Sequence, residues 1–239
     1  MRADPPCPET PVGVIGDVHG CAELLEELLG RLDEAGVKHI VTVGDYVDRG
    51  ERSADVLHML RARSSETPET LVCLMGNHEK MMLDFLDRPV ERGARWLRNG
   101  GLQTLASFGI GNVSDTASED RLASVRDEFR EALSEDLEDW LRVRPLSWNS
   151  GNLWVVHAAA KPLVPMQEQD PHTLLWGHGE FMTSPRPDGI WVAHGHVVVE
   201  QPEMRASRIA MDTGAYYSGR LTGAMIRPDG DVSFVQAVA

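Results

Sequence analysis

The sequence predicts an α/β protein with a mainly parallel sheet, and three observations carry that reading. Apolar, strand-like runs alternate with amphipathic helical stretches through the first third of the chain. Three of these runs each empty into a Gly-bounded polar block: Gly16-Asp17-Val18-His19-Gly20, Gly44-Asp45-Tyr46-Val47-Asp48-Arg49-Gly50 and Gly76-Asn77-His78-Glu79. β character then returns after Leu146, where Leu153-Trp154-Val155-Val156-His157 and Ile190-Trp191-Val192-Ala193-His194 deliver histidines from strand ends. Loops at strand ends are where an α/β scaffold gathers distant side chains onto one edge.

After a Pro-rich leader to about Pro11, residues 12–16 read as a strand. Leu24, Leu25, Leu28, Leu29 and Leu32 recur at helical spacing, and that helix is expected to end near Gly36. Residues 39–43 form a second strand, and Ser53 is placed as the cap of a helix running to about Arg63. A third strand over 70–75 precedes a helix carrying Met81, Met82 and Phe85, with Met75, Met81 and Met82 read as core packing. Residues 90–142, with Trp96, Leu97, Leu102, Leu105 and Phe108, are polar and helical and lack a metal-type loop. They predict a helical cap or insertion within one domain spanning 1–239, and the acidic stretch near 118–139 reads as a solvated helix face. Runs at 208–211, 220–226 and 232–236, separated by turns such as Pro228-Asp229-Gly230, predict a second, more antiparallel sheet.

Composition narrows the function classes. A chain of 239 residues with 42% hydrophobic residues can bury one sizeable core. No apolar run approaches the roughly 20 residues of a membrane span, and Met1 to Pro8 lacks a signal-peptide core. Cys7, Cys21 and Cys73 form no C-x-x-C pair, which opposes a disulfide framework or a zinc knuckle, and Cys73 reads as a core residue. The expectation is therefore a cytoplasmic protein. Its net charge of −14 opposes nucleic-acid and membrane-surface partners. A phosphorylated substrate remains compatible, because bound divalent cations invert local charge.

The polar blocks carry the chemistry. Asp17 and His19 lie two apart, so in extended chain both reach one side. Asp45 has two oxygens with which to bridge two ions, Asn77 offers an amide oxygen, and His157 and His196 arrive from later strand ends. A set of carboxylate, imidazole and amide without thiolate suits two divalent ions, Mn first, with Fe or Zn as alternatives. Two ions about 3.5–4 Å apart can hold and deprotonate a shared water while neutralising a phosphoryl oxygen. His78 is then the proton donor to the departing oxygen, Asp48 orients it and raises its pKa, and Arg49 grips phosphoryl oxygens as a fork.

Taken singly, each residue has a blander reading. A lone Asp17 or Asp45 after a strand is more often a cap or turn residue. Asp48 and Arg49 can be a surface ion pair. His39, His58 and His172 belong to no block, and of His194 and His196 only one need face a metal. The joint pattern outweighs these readings.

The three blocks resemble the signature of the phosphoprotein phosphatase family of binuclear metallophosphoesterases, in its bacterial and bacteriophage lambda-type branch. Trp96-Leu97-Arg98-Asn99-Gly100-Gly101, Leu175-Trp176, His194-Gly195-His196 and Met211-Asp212-Thr213-Gly214-Ala215 extend the resemblance over about residues 12–226. It implies a four-layer α/β/β/α sandwich of the calcineurin-like metallophosphoesterase type. Asp17, His19 and Asp45 would hold the first metal; Asp45, Asn77, His157 and His196 would hold the second. His78 with Asp48 would be the proton-donor pair, and Arg49 and Asn77 would contact substrate. Three departures stand out: His157-Ala158-Ala159 for His-Ala-Gly, Gly195-His196-Val197 for Gly-His-Thr, and Trp176-Gly177-His178 where the branch carries Trp-x-Arg. His178 thus stands where a second phosphate-binding arginine is expected, with Arg98 or Arg186 as candidates to compensate.

The favoured reading is a Ser/Thr protein phosphatase, a phosphomonoesterase acting on phosphorylated proteins, peptides or small phosphoesters. The alternative is a dinucleoside polyphosphate hydrolase, acting for example on diadenosine tetraphosphate. A non-catalytic phospho-binding module would need a broken site, whereas all six expected ligands and His78 are present.

Overall fold

The computed structural model describes residues 4–239. Its first sheet is centred on three parallel strands, β1 (Val12–Ile15), β2 (His39–Thr42) and β3 (Leu71–Cys73). The hairpin of β9 (Arg220–Ile226) and β10 (Val232–Val238) extends it, giving the order β10-β9-β1-β2-β3. The second sheet comprises β4 (Ser147–Ser150), β5 (Leu153–Val156), β6 (Trp191–His194), β7 (Glu203–Arg205) and β8 (Arg208–Ala210), in the order β4-β5-β6-β8-β7.

Alternation along the strands builds the layers, because successive side chains point to opposite faces. Val12 and Val14 of β1 and Val41 of β2 meet Leu153 and Val155 of β5, Ala193 of β6 and Ile209 of β8 in a dry seam between the sheets. On the outer face of the first sheet, Ile15 and Ile40 pack with the leucines of α1 (Ala22–Glu34) and α2 (Ser53–Glu66). On the outer face of the second sheet, Trp154, Val156 and Val192 pack with Met166, Phe181 and Leu174 of α8 (Pro171–Trp176). The result is the expected four-layer α/β/β/α sandwich. Among the described residues no helix is long and apolar enough to cross a membrane.

The tail departs from expectation. Residues 220–226 and 232–236 do not join the second sheet; β9 pairs antiparallel with β1, Ile15 opposite Gly223. A Cβ on Gly223 would lie 2.8 Å from the Val14 carbonyl oxygen, so glycine permits this close approach. The second sheet is correspondingly mixed, with β5, β6 and β8 parallel at its centre.

The middle segment is helical, as α4 (Pro89–Trp96), α5 (Leu102–Ser107), α6 (Glu119–Leu133) and α7 (Glu135–Arg142), and it follows α3 (Asn77–Asp87). A π-type turn over 97–101 joins α4 to α5. These helices share the large apolar cluster under the first sheet: Trp96 stacks on Phe85 at 4.8 Å and on Phe129 at 5.6 Å. The acidic stretch is not wholly solvated, since Glu138 is buried and gripped by Arg130 and Arg142.

Candidate metal centre and active site

The polar blocks occupy the loops after β1, β2 and β3, joined by the loops after β5 and β6. The glycines bring these loops against one another: a Cβ on Gly44 would lie 2.4 Å from the Gly76 nitrogen, and one on Gly76 would lie 2.2 Å from the Asp45 nitrogen. Nine non-glycine residues among those described have positive φ, and five of them are His19, Asp45, Asp48, Arg49 and His196. Left-handed backbone costs about 1–2 kcal/mol per residue, so something must hold these loops.

Much of that hold is Glu79. Its carboxylate is fully buried and accepts the backbone N–H groups of Asp45 (2.8 Å), Tyr46 (2.7 Å), Val47 (3.1 Å) and Gly76 (3.0 Å). The Asp45 carbonyl in turn accepts from the N–H groups of Val18 and His19, locking the first loop to the second.

Asp45 sits at the centre. Its Oδ2 lies 3.5 Å from His19 Nε2 and its Oδ1 lies 3.5 Å from His157 Nε2. Asn77 Oδ1 lies 2.8 Å from His157 Nε2 and 3.0 Å from His196 Nδ1. Asp17 accepts the His196 backbone N–H on both oxygens. Two overlapping groups have their donor atoms within 4.8 Å of one another, His19–Asp45–His78 and Asp45–His157–His196.

These atoms fit cations. His19 Nδ1 donates to the Val47 carbonyl at 2.8 Å, so the neutral ring turns a bare, buried Nε2, without a hydrogen-bond partner among the described residues, toward a carboxylate. Burial pushes the His19 pKa down to about 3, which keeps the ring neutral. His157 repeats the arrangement: Nδ1 donates to the Val43 carbonyl, Nε2 faces Asp45 and Asn77, and burial lowers its pKa to about 4. Asp17 is pushed well above the usual carboxylate range by burial, then by Asp212 and Asp45. Burial pushes Asp45 the same way, but His157, His78 and His19 outweigh it and hold the carboxyl low. Around Asp45 the lone pairs of His19 and His157 and the carboxylate converge in a buried site with no proton between them, which is what a divalent ion satisfies.

Beside this centre His78 Nδ1 donates to Asp48 Oδ2 at 2.6 Å. Asp48 is fully buried and also accepts from Trp96 Nε1 and from Thr104 Oγ1 (2.7 Å). Its backbone N–H donates to Ser53 Oγ, so Ser53 is not the cap of α2, whose N-cap position is Arg52. Burial lowers the His78 pKa, yet Asp45 and Asp48 outweigh it and raise it. Arg49 Nη2 lies 3.2 Å from His78 Nε2, with its guanidinium 5.1 Å from the Tyr216 ring centroid. Asp48 and Arg49 therefore are not a surface ion pair.

Eight of the sequence-selected residues thus come together: Asp17, His19, Asp45, Asp48, Asn77, His78, His157 and His196, with Arg49 against them. His194 turns away, its Nδ1 toward the Gly195 carbonyl and its ring edge-on to Phe181. His178 lies beyond α8, accepts from the Glu180 N–H, and has no hydrogen bond to the other site residues among those described. Arg186 is committed to the Lys161 and Val164 carbonyls and to Asp188. Sequence reasoning missed Glu79, Trp96, Thr104, Asp212 and Tyr216 as site residues, although all but Thr104 lie within a stretch quoted for the resemblance or next to one. Asp212, pushed up to about 6 by burial, adds a further carboxylate next to Asp17.

The calcineurin-like phosphoesterase profile matches residues 10–199. A bis(5'-nucleosyl)-tetraphosphatase PrpE [asymmetrical] of Oceanobacillus iheyensis is 26% identical over 88% of this chain and 86% of its own. A serine/threonine-protein phosphatase 2 of Salmonella typhimurium is 25% identical over 88% of this chain and 90% of its own. The fold is shared with a structure described provisionally as a diadenosine tetraphosphatase (TM-score 0.65, 21% identity, 95% of this chain and 94% of that one). It is also shared with a cold-active protein-tyrosine phosphatase of a Shewanella species (TM-score 0.62, 16% identity, 95% and 80%). With its polar loops, paired imidazole–carboxylate groups and matching profile, the chain belongs to the calcineurin-like phosphoesterase family of metal-dependent hydrolases.

Proposed function

We propose that the chain is a manganese-dependent phosphomonoesterase acting on phosphoserine and phosphothreonine in proteins. The observation that carries this reading is His78, held at Nδ1 by Asp48 (2.6 Å) and flanked at Nε2 by Arg49 (3.2 Å). Asp17, His19 and Asp45 would hold one ion, and Asp45, Asn77, His157 and His196 the other. When bound, the ions supply activation of water and neutralisation of phosphoryl charge.

The chain's own groups do the rest. Asp48 fixes the His78 ring and stabilises its protonated form, so that Nε2–H donates to the departing serine or threonine oxygen, a poor leaving group without that proton. Arg49 leaves Nε2 for the substrate's phosphoryl oxygens when these enter, a bidentate hold that also frees the imidazole for its task. The open cleft beside Arg49 suits a side chain presented from a protein surface.

The competing reading is cleavage of a dinucleoside tetraphosphate. The Tyr216 ring, 40% exposed beside Arg49, favours it by offering a stacking face to a base. Rates on a phosphopeptide panel and on diadenosine tetraphosphate, measured side by side with Mn²⁺, separate the two. Faster turnover of the peptides is expected; a dinucleotide rate higher by an order of magnitude overturns the proposal.

A further inference from the structure

A cleft of about 550 Å³ opens from Arg49, walled by Arg98, Asn99, Gln103 and Tyr216, with Asp115 at its rim. It is built onto the site and not merely near it. The Arg49 N–H reaches the Gly100 carbonyl at 3.4 Å, and a Cβ on Gly100 would lie 2.5 Å from the Arg49 nitrogen. The turn over 97–101 thus presents Arg98 on the same side as the guanidinium that faces His78.

The charge there is not neutralised by side chains of the described residues. Arg31, Arg52, Arg63, Arg121 and Arg142 each pair with a carboxylate, as expected at a net charge of −14. The two guanidinium groups that line the cleft, those of Arg49 and Arg98, have no carboxylate oxygen within 4.0 Å among the described residues, Asp115 included. Arg95, stacked on Trp176 at 4.6 Å, lines a separate groove. A strongly acidic surface repels anions at long range, so two unneutralised guanidinium groups lining one cleft beside the site mark where an anion is received.

We infer that this cleft is the leaving-group subsite, and that Arg98 gives it a preference for phosphopeptides with carboxylates beside the scissile phosphoresidue. The inference rests on the phosphoprotein reading above and names its substrate class. Arg49 takes the phosphoryl group, Tyr216 lines the wall, and Arg98 meets the second anion.

The test uses three phosphoserine peptides that differ only in the two flanking residues, Glu, Gln or Lys, with the Mn²⁺-loaded full chain at low salt. Wild type should show kcat/KM in the order Glu, Gln, Lys, with about tenfold between the first two, shrinking as salt screens the pair. Arg98→Gln should bring the Glu and Gln peptides within twofold, and Arg98→Glu should favour the Lys peptide. The exposed position of Arg98 makes both variants compatible with folding. Peptide turnover without a preference, or with one that survives Arg98→Gln, overturns the subsite alone. If wild type hydrolyses none of the three peptides, the phosphoprotein reading itself falls, and the subsite with it.

Discussion

Nε2 of His19 faces Oδ2 of Asp45 across 3.5 Å, and neither atom carries a proton for the other. The ring's one proton is spent on the Val47 carbonyl, and burial prevents a second from binding near neutral pH. Without a cation this contact costs stability; with one it becomes part of a coordination shell.

Metal should therefore stabilise the fold. At a hundred times its Kd, Mn²⁺ contributes about 2.7 kcal/mol, or roughly 5–10 °C in Tm for a chain of this size. Asp45→Asn should abolish most of that shift, and a chelator should reverse it in wild type. A thermal scan showing equal shifts for both proteins would remove Asp45 from the centre.

Glu79 tests the scaffold separately from the chemistry. Its four backbone donors need an acceptor-only side chain. In Glu79→Gln an NH₂ would face N–H groups donor to donor, with about 1–3 kcal/mol lost per buried group left unpaired. Urea unfolding of the metal-free protein should show a loss of about 3 kcal/mol. A change under about 1 kcal/mol would mean that the left-handed loops are held by other means.

The proton-donor role of His78 predicts a dependence on the leaving group. His78→Asn should lower kcat on phosphoserine peptides by about 10²–10⁴, while para-nitrophenyl phosphate, whose leaving oxygen departs without a proton, should lose far less. Asp48→Asn should follow the same pattern more weakly, because Trp96 and Thr104 still hold residue 48 in place. Equal losses on both substrates would assign His78 to binding.

The fold and most of the residues that gather at the candidate site were legible because their signals are local: β-branched runs, leucine spacing, and polar residues packed into blocks of a few positions. What the sequence hid is pairing at a distance. Asp48 is caged by Trp96 and Thr104, 48 and 56 positions away, inside a segment that reads only as helix. Ser53 has the composition of a cap but spends its hydroxyl on the Asp48 N–H. The 220–226 run could pair with either sheet on hydropathy alone, and the close fit of Gly223 against Val14 accompanies its place beside β1. His178 stands in an arginine's place by resemblance, whereas the free guanidinium beside Arg49, that of Arg98, comes from the turn before α5.

A final prediction concerns pH and a histidine outside the candidate ligand set. His194 is fully buried, its Nδ1 donates to the Gly195 carbonyl at 3.0 Å, and its Nε2 has no hydrogen-bond partner among the described residues. Burial pushes its pKa down from 6.5 to about 4. Between these values the unfolded chain binds a proton that the folded chain refuses, so stability is present above the unfolded pKa and is lost as pH falls toward about 4. The shift corresponds to about 3 kcal/mol. His19 and His157 titrate over an overlapping range in the metal-free protein, which makes the total acid loss larger. His194→Leu keeps an apolar group against Phe181; the bond to the Gly195 carbonyl is lost at every pH, and the pH-dependent change is the titration alone. Urea stability measured from pH 7 to pH 4 on metal-free protein should fall by about 3 kcal/mol less in the variant than in wild type. Parallel curves would show that His194 takes up its proton without disturbing the fold.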